Sequence, residues 1–114
     1  MDSTRQKKIS RLLQRELAEI LRIMGKEFAP GKLITVTTVR ISPDLSVAKI
    51  YLSFFPSESG ADVLESVLHN SSRIRHTLGQ KVRNQLRIIP ELAFFVDDSL
   101  DYIDNIDSLL KPGK

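Results

Sequence analysis

Two nine-residue runs, LITVTTVRI at 33–41 and VAKIYLSFF at 47–55, stand five residues apart. Both are rich in β-branched and aromatic residues, the side chains that pack best on a pleated, half-buried surface. The link Ser42-Pro43-Asp44-Leu45-Ser46 carries a proline that presets a turn. So short a connection leaves no room for a crossover, and the two runs must pair as an antiparallel hairpin. In the second run, alternation sets Ala48, Ile50, Leu52 and Phe54 on one face. Val47, Lys49, Tyr51 and Phe55 take the other. The apolar face of such a hairpin needs a cover, and the rest of the chain must supply it.

The cover is predicted to be helical. Ser3-Thr4-Arg5-Gln6 has the form of a capping box. After it, Ile9, Leu12, Leu13, Leu17, Ile20, Leu21 and Met24 recur at gaps of three and four, the mark of one helical stripe. Gly25 reads as its stop, which gives a helix over residues 4 to 24. Ala29-Pro30-Gly31 is a turn before the first strand. Beyond the hairpin, Ser59 and Asp62 start a short helix whose apolar face is Val63, Leu64, Val67 and Leu68. Asn70-Ser71-Ser72 is expected to break it: asparagine tolerates the left-handed conformation, and a serine caps the next helix. That helix carries Ile74, Leu78, Val82 and Leu86 on one stripe, and the run is expected to continue until Ile89-Pro90 stops it. Leu92 to Val96 reads as a third strand. From Asp97 to Leu110, the apolar positions Leu100, Ile103, Ile106, Leu109 and Leu110 predict a last helix.

The order is therefore α-β-β-α-α-β, an α+β fold with a three-stranded mixed sheet and helices on one face. The connection from the second strand through two helices makes the third strand its parallel neighbour, so the second strand is central. Residues 1–110 make a single domain, with 111–114 a short tail. The chain of 114 residues has room for one core.

Composition removes several function classes. There are no cysteines, so disulfides and thiolate metal sites are excluded. The start MDSTRQKKIS has no apolar signal region, and no run approaches eighteen apolar residues; a cytoplasmic, non-membrane protein is expected. His69 and His76 are seven apart and match no metal-binding spacing. The glycines form neither a phosphate-cradling loop nor a nucleophile elbow. Asp97, Asp98, Asp101, Asp104 and Asp107 lack the glycine and glutamate of a calcium loop and read as a solvated acidic face. No catalytic site, metal, cofactor or small-molecule substrate is expected.

Charge supplies the positive signal. Residues 1–89 hold fifteen Lys/Arg against eight Asp/Glu, and residues 90–114 hold two against six. A basic body with an acidic end points to a polyanionic partner, which in the cytoplasm means nucleic acid. Arg73, Arg75, Lys81, Arg83 and Arg87 lie in a stretch, 71–89, that contains no acid. Arg5, Lys7, Lys8 and Arg11 form a second cluster on the first helix. Such cations contact phosphate without reading sequence. The alternative is a protein–protein adaptor that uses the open sheet face, with Tyr51 or Phe55 as anchors.

The element order excludes an RNA-recognition motif and matches a type II KH-like domain, yet no two glycines are spaced as a GxxG backbone clamp. Three segments carry a more specific likeness. VRISPDLSVAKIYLSFF (39–55), IRHTLGQ (74–80) and LRIIPELAFFVDDSL (86–100) resemble, in order, segments of the ribosome-binding factor A family. The matching positions are Ser42, Asp44 and Leu45 in the turn, Ile74, Arg75 and Gly79 on the helix, and Arg87, Pro90 and Glu91 before the last strand. The chain departs from the family at the break between helices, where Asn70-Ser71-Ser72 stands in place of Ala-x-Gly. The resemblance implies a monomeric, non-catalytic assembly factor. It would bind immature small ribosomal subunits and their 16S rRNA, assist maturation of that RNA's 5′ end, and serve growth in the cold. Arg75 and Arg87 are the positions it singles out for RNA contact.

Overall fold

The computed structural model describes residues 3–55 and 60–97. Its elements are α1 (Thr4–Phe28), β1 (Leu33–Ile41), β2 (Val47–Phe55), α2 (Gly60–His69), α3 (Ser71–Val82) and β3 (Glu91–Val96). The sheet order is β1-β2-β3. β1 pairs antiparallel with β2, and β2 pairs parallel with β3, as the connection lengths require. The helix expected near residues 97–110 lies outside the described residues, as do all the acidic positions of that stretch except Asp97.

The capping box at the start of α1 is present. The Ser3 hydroxyl accepts from the Gln6 amide at 3.1 Å, and Gln6 Oε1 accepts from the Ser3 amide at 2.9 Å. The Gln6 side chain is buried, and its Nε2 donates to the Ile41 carbonyl at 3.0 Å, which fixes the helix start to the end of β1.

The expected stop at Gly25 is wrong: α1 runs one turn further, to Phe28. Gly25 is buried within the helix and faces Ile34, where a Cβ would stand 3.4 Å from Ile34 Cδ1. The glycine serves close packing on β1. Termination falls to Pro30, whose ring disfavours helix at Ala29, and to Gly31, whose φ of 78° turns the chain into β1.

A second correction concerns α3, which ends at Val82 and not near Ile89. Residues 83–85 make a turn closed by the Gln85 and Leu86 amides on the Val82 carbonyl, at 2.8 and 2.9 Å. Leu86 still reaches the core, but from the return loop. The chain must reverse here, because β3 has to run alongside β2 in the same direction. The break before α3 is the single residue Asn70, with φ −100° and so not left-handed. Its side-chain amide donates to the Ser66 carbonyl at 2.8 Å. No side chain caps α3, and Ser71 and Ser72 lie inside its first turn.

The hairpin register shifts between Val36 and Thr38, so β1 carries a bulge at Thr37. Gln14 of α1 donates from Nε2 toward the Val36 and Thr37 carbonyls, both at 3.2 Å. The core lies between one sheet face and the helices. Leu13, Leu17 and Leu21 of α1, Ala48, Ile50 and Leu52 of β2, Val67 of α2, and Ile74, Leu78 and Val82 of α3 are buried to within 1% of complete. Burial of each large aliphatic contributes about 1.5–3 kcal/mol.

Candidate nucleic-acid interface

While Ile74, Leu78 and Val82 turn inward on α3, another stripe of the helix and its C-cap, Arg83, faces out. Ser72, Arg75, His76, Gly79, Gln80 and Arg83 follow one another at steps of three and one, so they share a surface. With Ile89 they line a groove of ≈ 510 Å³ that contains no acidic residue. The groove exists because the return segment 83–90 runs back along the helix. Ile89 rests on Gly79, where a Cβ would stand 3.4 Å from Ile89 Cγ1. Arg75 fastens the same segment: its Nε donates to the Pro90 carbonyl at 3.0 Å and its Nη2 to the Ile89 carbonyl at 2.6 Å.

On the other side of the return segment lies a second groove, of ≈ 270 Å³. Arg5 and Ile9 of α1, the turn residues Asp44, Leu45 and Ser46, and Gln85 to Ile88 with Pro90 line it. It continues along α1 past Lys8 and Leu12. Arg5, Lys8 and Arg87 therefore meet around this groove, and Arg75 and Arg83 around the first. Among the described residues, Arg5, Lys8, Arg83 and Arg87 have no ion-pair or hydrogen-bond partner. Their guanidinium and ammonium groups are available to an incoming anion.

The one acid of the second groove, Asp44, is held by its own turn. Its Oδ1 accepts from the Ser42 and Ser46 hydroxyls, each at 2.7 Å, and from the Ser46 amide at 3.1 Å. These bonds, led by the one from Ser42, hold its carboxyl below its ordinary value. The Ser42 hydroxyl in turn accepts from the Ser46 and Val47 amides. Leu45 takes φ 64°, rare for a residue with a side chain.

The remaining sequence-predicted cations are placed elsewhere. Arg73 forks onto Glu27 at the end of α1, with Nη2 to Oε2 at 3.2 Å, and also reaches Asn70 Oδ1. Lys81 faces α1, where its charge helps keep the Glu19 carboxyl below its ordinary value; the hydrogen bond from Arg22 to Glu19 is the larger cause. Lys7 and Arg11 are exposed on α1 but line neither groove. Of the break residues, Ser72 lines the first groove, whereas Asn70 and Ser71 do not. Sequence reasoning passed over His76, Gln80 and Gln85. The first two carried a usable signal, since they continue the three-and-four spacing of Arg75 and Arg83. Gln85 had none, because it follows the reversal after Val82.

Comparison with known proteins agrees with this architecture. The sequence pattern of the family "Ribosome-binding factor A" matches residues 5–110. A ribosome-binding factor A from Christiangramia forsetii is 47% identical over 96% of this chain and 85% of its own length. One from Chlorobaculum tepidum is 43% identical over 98% of this chain and 92% of its own. Among solved structures, the crystal structure of ribosome-binding factor A from Thermus thermophilus superposes with a TM-score of 0.67 at 28% identity. It covers 80% of this chain and 94% of that one. A Thermus thermophilus ribosome-binding factor A fitted into the cryo-EM map of a 30S complex gives 0.63 at 31% identity, over 78% and 91% of the two chains. The shared fold is KH-like, with the element order α-β-β-α-α-β.

Proposed function

Because the chain belongs to the ribosome-binding factor A family, we propose that it binds immature small ribosomal subunits in the cytoplasm. Its contact is with their 16S rRNA, and it assists late assembly and 5′-end maturation of that RNA. It acts as a monomer and without catalysis. One observation carries the placement of the contact: the two grooves flanking segment 83–90 gather Arg5, Lys8, Arg75, Arg83 and Arg87 on adjoining surfaces. Backbone phosphates of folded RNA are the ligand such a surface fits, since guanidinium forks match phosphate oxygens and need no base sequence.

The mechanism follows from rigidity. The cations project from a helix and from a loop pinned by Arg75, so their spacing is set before RNA arrives. A conformation of the precursor RNA that matches the spacing binds better than one that does not, and this difference alone shifts the RNA's equilibrium. No bond is made or broken by the protein. The factor departs when maturation changes the RNA shape it fits.

The test is co-sedimentation with purified immature 30S subunits across a salt series. Arg75 is excluded from it, because its carbonyl contacts make it structural. The double variant Arg83→Gln with Arg87→Gln removes two unpaired cations. The slope of log affinity against log salt should fall by about 2, with an unchanged thermal midpoint. Unchanged affinity and slope would overturn the placement.

A further inference from the structure

The two grooves differ in one respect that phosphate alone does not explain. The first contains no acid, whereas the second is lined by Asp44 together with Arg5 and Arg87. An ionised carboxylate repels phosphate, so its place in a phosphate groove calls for a reason. The turn does not supply one. Only Oδ1 accepts from Ser42 and Ser46, and the carbonyl oxygen of an asparagine would accept the same bonds. Oδ2 takes no bond from another residue among the described residues. The carboxyl is held below its ordinary value, so at neutral pH the spare oxygen is an acceptor only. Much of the remaining wall is apolar: Ile9, Leu86 and Ile88 line the groove, and Ile88 is 74% exposed.

Granted the RNA contact proposed above, we infer that the second groove receives one unpaired RNA base and that Asp44 selects a base carrying an exocyclic amine. At ≈ 270 Å³ the groove lies just under the about 300–1,000 Å³ of ordinary ligand pockets, which suits a single flat ring system. Its aliphatic side chains give the faces of a base an apolar surface, and a base turned out of folded RNA brings an unpaired edge as well. The spare carboxylate oxygen takes a donor from that edge. Adenine, cytosine and guanine present an amine there. Uracil presents a lone N–H between two carbonyls, which the carboxylate repels. Arg5 and Arg87 line the same groove and Lys8 its continuation along α1, so the phosphates on either side of the base meet cations. The turn is closed by its own bonds before RNA arrives, so the acceptor stands ready in place.

The experiment measures binding of short oligoribonucleotides to the full chain at low salt, by fluorescence anisotropy. The probes are hexamers of adenosine, of uridine, and of purine riboside, which is adenosine without its amine. The adenosine hexamer should bind about tenfold tighter than either of the others, the usual worth of a hydrogen bond to a charged acceptor. Asp44→Asn keeps the oxygen that closes the turn and loses the carboxylate. Its preference for adenosine over purine riboside should vanish while thermal melting reports a folded chain. Ile88→Ala removes apolar wall from an exposed position and no charge, so adenosine affinity should fall severalfold with an unchanged salt slope. Three outcomes would overturn the inference: equal affinity of wild type for all three hexamers, a preference that survives Asp44→Asn, or no binding of the adenosine hexamer at low salt. Equal affinities alongside the slope change expected of Arg83→Gln with Arg87→Gln leave the phosphate contact standing and make the groove a seat for backbone alone. Absence of that slope change is the separate failure of the RNA contact itself.

Discussion

Arg75 shows how one residue type serves two ends. Its charge marks it in the sequence as a candidate for RNA contact, but the structure uses its fork on the carbonyls of Ile89 and Pro90. No local pattern could show this, because the two acceptors come from a segment fourteen and fifteen residues away. Arg75→Ala should cost about 1 kcal/mol, read in urea unfolding. Arg75→Lys should restore only part of that, since an ammonium cannot span both carbonyls. Asp44 differs: Pro43 and the short link made its turn legible from sequence, while its bonds to Ser42 and Ser46 are seen only in the structure. Its folded pKa is depressed relative to the unfolded chain, so its stabilisation is present above the unfolded value and is lost as pH falls through the folded one. Asp44→Ala should therefore lower the melting temperature at pH 7, and the difference from wild type should shrink in melts taken below pH about 4.

Among the elements, the hairpin strands were readable to the residue, since period-two alternation and a proline turn leave few other solutions. The ends of α1 and α3 were not. Gly25 looked like a stop because glycine commonly is one, and only the approach of Ile34 reveals its packing role. The early end of α3 is a tertiary demand: the chain must turn back to reach its place beside β2. The Thr37 bulge was equally hidden, since the run LITVTTVRI reads as unbroken strand. Its carbonyls draw on Gln14, whose place on the flank of α1 was visible but whose acceptors were not. Gln14→Leu should destabilise by about 1–2 kcal/mol in denaturant unfolding, by leaving those carbonyls without their donor.

For the molecule as a whole, element order and the central place of β2 followed from connection lengths, and the basic body followed from counting charges. Which cations face together did not. Nine were candidates, and the fold sends Arg73 to Glu27, turns Lys81 toward Glu19, and leaves Lys7 and Arg11 outside both grooves. Lys7→Gln with Arg11→Gln removes as much charge as the groove pair does. It should change the salt slope of subunit binding by less than half as much, measured in the same sedimentation series. Equal effects would mean that overall charge, and not the grooves, attracts the RNA.

The parallel seam between β2 and β3 bears on how the chain is born. Forty-one residues separate the end of β2 from the end of β3. At about 5–20 residues per second, a translating ribosome takes about 2–8 s to emit them. For that interval the hairpin exists with its middle strand still an edge, its amides and carbonyls open to any neighbouring nascent chain. Crowded polysomes and slowed elongation both lengthen the exposure, so yield from overexpression should improve when synthesis is sparse and fast.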